Sequence, residues 1–294
     1  MGPVASTRYR RDRPVLGGLL VLCSALLFSG VGAIVKAAAS GLPIEVIVFF
    51  RNATAYAVLL PYLLVVRRDV GLKTGCLRLH LVRAAAGLSA MYTFFIAVKL
   101  LRLADAMLLS YTLPIFIPII ERVWLGEPVT RRTQAAVAVG FVGIVLVLKP
   151  GSGLFQPAGL VGLASGILAA LAMVGIRRMA VSEPVDRIIF YFTTFGTLVS
   201  AVPLTWAWET PQGSLLWALV AMGILAILAQ MCLTRGYSMA PAGQVGPFNY
   251  GNVVFSALLG WFLWGETMDA LTALGAVLTC SAGIIATMTS DRSA

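Results

Sequence analysis

The residues of this chain that could do chemistry are the few cationic, amide and phenolic side chains set inside long apolar runs. A polar group placed in hydrocarbon costs free energy, so each one retained there is a candidate for substrate contact. Arg51 stands first: it lies about seven residues into a run that starts near Ile44, roughly 10 Å deep at 1.5 Å per residue. Its planar fork of donors suits a carboxylate, and Glu45 is the competing anion in the same run. Lys36 lies nearer the end of the preceding run, where it either shares a vestibule with Arg51 or anchors the helix at the interface. Tyr92, Tyr111 and Gln230 put polar tips at mid-run depth, and Asn249, Tyr250 and Asn252 follow Gly246-Pro247. The competing role for these six is hydrogen bonding between helices, worth ~0.6 kcal/mol each. Asn249 and Tyr250 read first as cavity lining, because Pro247 frees a carbonyl and the nearby glycines let a ligand come close.

A second group reads as gating or structural. Glu121 sits beside Arg122, as a local ion pair or a gate element. Pro114, Pro118 and Pro247 bend or break their helices. Glu127 and Glu266 recur just past a helix end, where they are expected to accept backbone N–H bonds.

Enzyme chemistry finds no foothold. There is no nucleophile elbow, no phosphate-binding loop and no pair of carboxylates within a helix core. His80 is the only histidine and reads as part of a basic loop, which argues against a histidine-built zinc or haem site. Cys23, Cys232 and Cys280 fall in apolar runs and Cys76 in the basic loop; none has CxxC spacing or an evident disulfide mate, so they read as packing residues. Neither a cofactor nor a metal is expected.

These residues need elements that hold them in lipid. The chain is 59% hydrophobic and 12% charged, with a mean hydropathy of +0.92. A soluble domain carries about a quarter charged residues, so this chain cannot cover a water-facing globule. The net charge of +10 sits in short clusters between apolar runs, as in the loops of a membrane protein. Nucleic acid is therefore not an expected partner; the lipid bilayer and a small-molecule substrate are, with monomer and homodimer both open.

Runs of this length read as spanning helices. Ten are expected, over about 15–39, 44–66, 81–100, 104–125, 133–148, 158–176, 187–208, 215–234, 240–264 and 268–288. The first run is too long for a signal peptide and lacks a small-residue cleavage site, so it reads as an uncleaved helix. With both termini cytoplasmic, that side collects the four N-terminal arginines, Arg67, Arg68, Lys73, Arg78, Arg83, Arg122, Arg131, Arg132, Arg177, Arg178, Arg187, Arg235 and Arg292. The other keeps Lys36, Arg51, Lys99, Arg102 and Lys149, an asymmetry that sets the N-in, C-in orientation.

The chain also repeats. Tyr111, Phe116, Trp124 and Gly126-Glu127 match Tyr250, Phe255, Trp264 and Gly265-Glu266. Gly18, Ser24, Pro43 and Phe49 match Gly159, Ser165, Pro184 and Phe190 at one constant offset, and Gly87, Lys99 and Ala104 match Gly223, Arg235 and Ala240 at another. Arg51 falls opposite Phe192, so its charge belongs to one copy only. Five helices per copy is an odd number, which turns the second copy upside down in the membrane. The expected organisation is a tail over 1–14, a first repeat over 15–148, a linker over 149–157, a second repeat over 158–288 and a tail over 289–294.

An all-α integral membrane protein of ten transmembrane helices in two inverted five-helix repeats, each with an apolar fourth helix closing on Gly-Glu, resembles the drug/metabolite transporter superfamily, EamA type. The resemblance covers nearly the whole chain. It implies a central cavity lined by helices 1–4 and 6–9, with helices 5 and 10 peripheral. It also implies a secondary transporter of a bacterial inner membrane that exports a small polar metabolite by alternating access. Amino acids and their derivatives, metallophores among them, are the expected cargo; import of a vitamin or nucleoside-like nutrient is the alternative on the same scaffold.

Overall fold

Backbone N–H and C=O groups in hydrocarbon must be satisfied within their own segment, so long apolar runs fold as helices. A computed structural model describes residues 12–38, 41–101, 103–148, 157–265 and 270–287, all helices and connections with no strand among them. The helices are α1 (Pro14–Ala38), α2 (Ile44–Val65), α3 (Leu77–Leu100), α4 (Leu103–Ser110), α5 (Leu113–Trp124), α6 (Arg131–Leu148) and α7 (Pro157–Met179). They continue as α8 (Val185–Ala201), α9 (Leu204–Ala207), α10 (Ser214–Met239), α11 (Ala242–Val245), α12 (Gly251–Trp264) and α13 (Ala270–Thr287).

Three expected helices are interrupted, each beside a proline. Proline lacks an N–H and its ring collides with the carbonyl four residues back. The expected fourth helix is not merely bent: α4 stops at Ser110, four residues before Pro114, and α5 starts beyond a short turn. Pro118 stays inside α5. The seventh divides into α8 and α9 around Pro203, and the ninth becomes α11, a tight 3-10 stretch over Gly246–Tyr250 that contains Pro247, and α12. Among the described residues, six segments are long and apolar enough to cross a membrane: 14–35, 44–65, 77–97, 107–124, 157–179 and 214–239. The protein is thus a multi-pass membrane protein.

The sequence repeat is written into the backbone. Pro43 and Pro184 occupy matched positions ahead of α2 and α8, both with ψ 143°. Gly126 and Gly265 both hold left-handed φ values, 75° and 66°, after α5 and α12. Packing repeats as well: α1 on α10 corresponds to α7 on α3, and α1 on α12 to α7 on α4 and α5. The α2–α8 and α6–α13 pairs correspond to themselves. Asp12, just before α1, bonds Arg177 near the end of α7 at 2.9 Å, so these matched helices run in opposite directions.

One end of the bundle is rich in arginine. Arg187 donates to the carbonyls of Val70 and Gly71 at 2.5 and 3.0 Å and to Glu183 at 2.8 Å, while Thr74 donates to the same carboxylate at 2.5 Å. Burial pushes the Glu183 carboxyl up, but the Thr74 and Arg187 bonds outweigh it and hold it below its ordinary value. Asp186 takes Arg67 at 2.9 Å and Arg235 at 3.2 Å. His80 is not in a loop: α3 begins at Leu77, and the buried imidazole stacks on Tyr191 with ring centroids 4.4 Å apart. The four cysteines are free thiols, and the sulfurs of Cys23 and Cys232 lie 4.0 Å apart across α1 and α10.

Candidate functional site

Arg51 enters the bundle about 10 Å from the start of α2, and Arg83 about 9 Å from the start of α3, which runs the other way. Both arginines line one cavity of about 310 Å³ where α1, α2, α3, α4, α7, α8 and α10 meet. Arg51 is half-buried, lies 5.8 Å from the centre of the Phe28 ring, and donates to the Asn52 side-chain oxygen at 3.0 Å rather than to Glu45. Asn52 is itself buried and reaches the Gly196 carbonyl and the Ser200 hydroxyl on α8, each at 3.5 Å. Arg83 is only 2% exposed and lies 4.2 Å from the centre of the Phe192 ring. Its Nε and Nη1 have no hydrogen-bond partner among the described residues. Gly87, one turn along α3, makes the room: a Cβ there would stand 2.5 Å from Arg83 Nη1 and 2.9 Å from the Phe192 ring.

Among the described residues the lining includes no acidic side chain. Its neutral polar groups are Gln230 and Ser110, and its apolar walls include Phe94, Met91 and Met173. The repeat explains the arrangement. Arg51 is matched by Phe192, Gln230 by Phe94, and Phe28 by Ala169, and both members of every pair line the cavity. A symmetric frame therefore carries an asymmetric lining, polar opposite phenylalanine in two pairs and phenylalanine opposite alanine in the third.

The remaining expected site residues lie elsewhere. Tyr111 donates to the Asn252 side-chain oxygen, Asn252 donates to the Ala25 carbonyl at 3.0 Å, and Ser29 donates to the Asn252 carbonyl at 3.0 Å. That network ties the α4–α5 turn, α12 and α1 together. Asn249 donates to the Tyr237 hydroxyl at 2.5 Å and to the Gly246 carbonyl at 3.0 Å. Tyr250 is fully buried with Leu108, Ile144 and Val253, against Gly140 of α6. The structure thus does not bring Asn249 and Tyr250 to the cavity; the break at Pro247 turns them into the packing between helices. Gln230 lines the cavity and bonds Thr234 at 3.1 Å, whereas half-buried Tyr92 is not part of the lining. The Lys36 side chain and Glu266 lie outside the described residues.

Glu121 departs from its expected pairing with Arg122. Its buried carboxylate accepts the N–H groups of Ala242 and Gly243 at 2.5 and 2.7 Å, joining α5 to the start of α11. Glu127 pairs with Arg177 at 3.5 Å, an ion pair that ties the end of α5 to α7. Arg177 is 1% exposed and serves as more than a surface topology signal.

The model of the EamA-like transporter family matches residues 15–149 and 156–288. The chain belongs to this family. The pseudopaline exporter CntI of Pseudomonas aeruginosa is 36% identical over 265 residues, covering 89% of this chain and 92% of the relative. The riboflavin transporter of Vibrio cholerae is 26% identical, covering 91% of both chains, and an S-adenosylmethionine uptake transporter of Rickettsia felis is 27% identical, covering 79% of both. One crystal structure shares the fold with a TM-score of 0.81 at 22% identity, covering 94% of this chain and 98% of the other. For this EamA-like transporter, sequence reasoning missed Arg83 and Asn52. Arg83 was counted among the surface cations of the arginine-rich end because α3 was started four residues late. The available signal was its helical spacing, one turn before Gly87.

Proposed function

We propose that this chain is a secondary transporter of a bacterial inner membrane that exports a carboxylate-bearing amino acid or amino-acid-derived compound, such as a metallophore, by alternating access. The observation that carries the reading is the pair Arg51 and Arg83 on one cavity that has no acidic side chain among its described residues. A guanidinium away from water needs an anion during part of the cycle, and a carboxylate matches its fork of donors. The name of the 36% identical relative, an exporter, supports the direction; the S-adenosylmethionine uptake transporter, at 27% identity, keeps import as the alternative.

On this reading α6, α8 with α9, α12 and α13 complete ten spans, and 15–148 and 158–288 form two inverted repeats around the cavity. The opposed directions of α1 and α7 support the inversion. The arginine-rich end is cytoplasmic, with both termini on that side. Alternating access then exchanges the conformations of the two repeats.

The test is accumulation in inside-out vesicles of a labelled panel of amino acids, amino-acid-derived chelators and vitamins. A carboxylate-bearing compound should accumulate. Arg51→Gln and Arg51→Lys, present at normal levels, should transport it about tenfold or more slowly, the value of a charge-assisted bond pair. Normal transport by Arg51→Gln, or accumulation of neutral vitamins alone, would defeat the reading.

A further inference from the structure

We infer that the cavity is built for a substrate with two separate carboxylates, one on Arg51 and one on Arg83, an inference that rests on reading this cavity as the transport site. The two cations come from opposite ends of the bundle, α2 and α3 being antiparallel, and they line the same cavity of about 310 Å³. That volume is at the small end of ligand pockets, so one compact molecule must serve both cations. Among the described residues no acidic side chain in the lining offsets either charge.

Each guanidinium keeps donors for the ligand. The Arg51 guanidinium carbon lies over the Phe28 ring and that of Arg83 over the Phe192 ring, 5.8 and 4.2 Å from the ring centres. An aromatic face stabilises the cation without supplying the oxygen acceptor that its N–H donors need. Arg51 commits one donor to Asn52. Arg83 commits neither Nε nor Nη1 to any described residue, although it is 2% exposed. A buried donor without a partner carries a desolvation cost that a ligand oxygen would remove. A substrate with one carboxylate satisfies one arginine and leaves the other charged among Met91, Phe94, Met173 and Leu233. A second carboxylate removes that cost, which makes the diacid the preferred cargo. Gln230 and Ser110 offer neutral donors and acceptors to the part of the molecule between the two acids.

The test uses the purified full chain in lipid nanodiscs and measures equilibrium binding of the straight-chain α,ω-diacids from glutarate to suberate, each beside its monoamide. Varying the chain length scans the spacing between the carboxylates. For at least one length the diacid should bind about tenfold or more tightly than its monoamide. Arg83→Gln should bring that diacid down to the level of its monoamide, and Arg83→Lys should remove most of the preference. If Arg83→Gln fails to fold, Gly87→Ala must lower the preference in the same direction, because it displaces the guanidinium without removing it. Binding by no diacid, no length at which the diacid is preferred, or a preference that survives Arg83→Gln overturns the inference. Arg51→Gln separates it from the reading beneath: weakening of diacid and monoamide alike keeps Arg51 as the first anchor. Loss of the preference through Arg83→Gln, with monoamide binding indifferent to Arg51→Gln, retains the Arg83 subsite and removes Arg51 as the anchor.

Discussion

Glu121 holds the two repeats together at the arginine-rich end, and removing it should have a measurable cost. The first N–H groups of any helix lack partners within it. For α11, only four residues long, the carboxylate of Glu121 supplies two partners, at Ala242 and Gly243. Glu121 is 4% exposed, so water does not replace it readily. Glu121→Ala leaves two buried donors unsatisfied, at about 1–3 kcal/mol each. Removing a buried charge returns part of that, for a net loss of about 2–4 kcal/mol. Glu121→Gln keeps one acceptor and should lose roughly half as much. Equilibrium unfolding in detergent reads the stability. The reactivity of an Ala242→Cys thiol in a cysteine-free background reads the opening, since Ala242 is fully buried. The thiol should be inert beside Glu121 and reactive beside alanine. Stability within ~0.5 kcal/mol of the parent, with the thiol still inert, would refute the argument. By the repeat, Glu121 corresponds to Gly260 or Trp261, neither a carboxylate, so the device exists at one end only.

Two further outcomes are expected. Gly87→Ala must push the Arg83 guanidinium by about 1 Å, which should cost about tenfold in substrate affinity. The helix gains ~0.5–1 kcal/mol of propensity from the same change, so stability should hold; binding and unfolding measured on one preparation should separate, and a parallel loss of both counts against the reasoning. The Glu183 carboxyl is held below its ordinary value, so its contribution to stability is present above the unfolded carboxylate value, near pH 4.3, and is lost as pH falls through the lower folded value. Protection from hydrogen exchange in the 66–76 segment should fall across that window in the parent and stay flat in Glu183→Gln; identical profiles would exclude the Thr74–Glu183–Arg187 cluster as the cause.

Much of the fold was legible because the bilayer imposes it locally. An apolar run has no folded state in lipid except one that satisfies its own backbone, so α1, α2, α7 and α10 followed from composition alone. The family was legible in the repeat, and matched prolines and glycines carried conformational information: Pro43 with Pro184, Gly126 with Gly265. Arg51 and Gln230 were legible as polar groups too deep in a run to be incidental.

Tertiary structure decided which way the polar groups point. Tyr111 meets Asn252, and Glu121 meets Ala242, across more than a hundred residues, and no local pattern encodes such a pairing. Tyr250 has the depth of a cavity residue and the neighbours of a core residue. Arg83 has the sequence context of a surface cation, yet α3 turns it over Phe192 into the space Gly87 leaves open. Hydropathy fixes how deep a residue sits because depth depends on the chain's own length and composition. The face it presents depends on which distant helix packs against it, and that is a property of the assembled bundle.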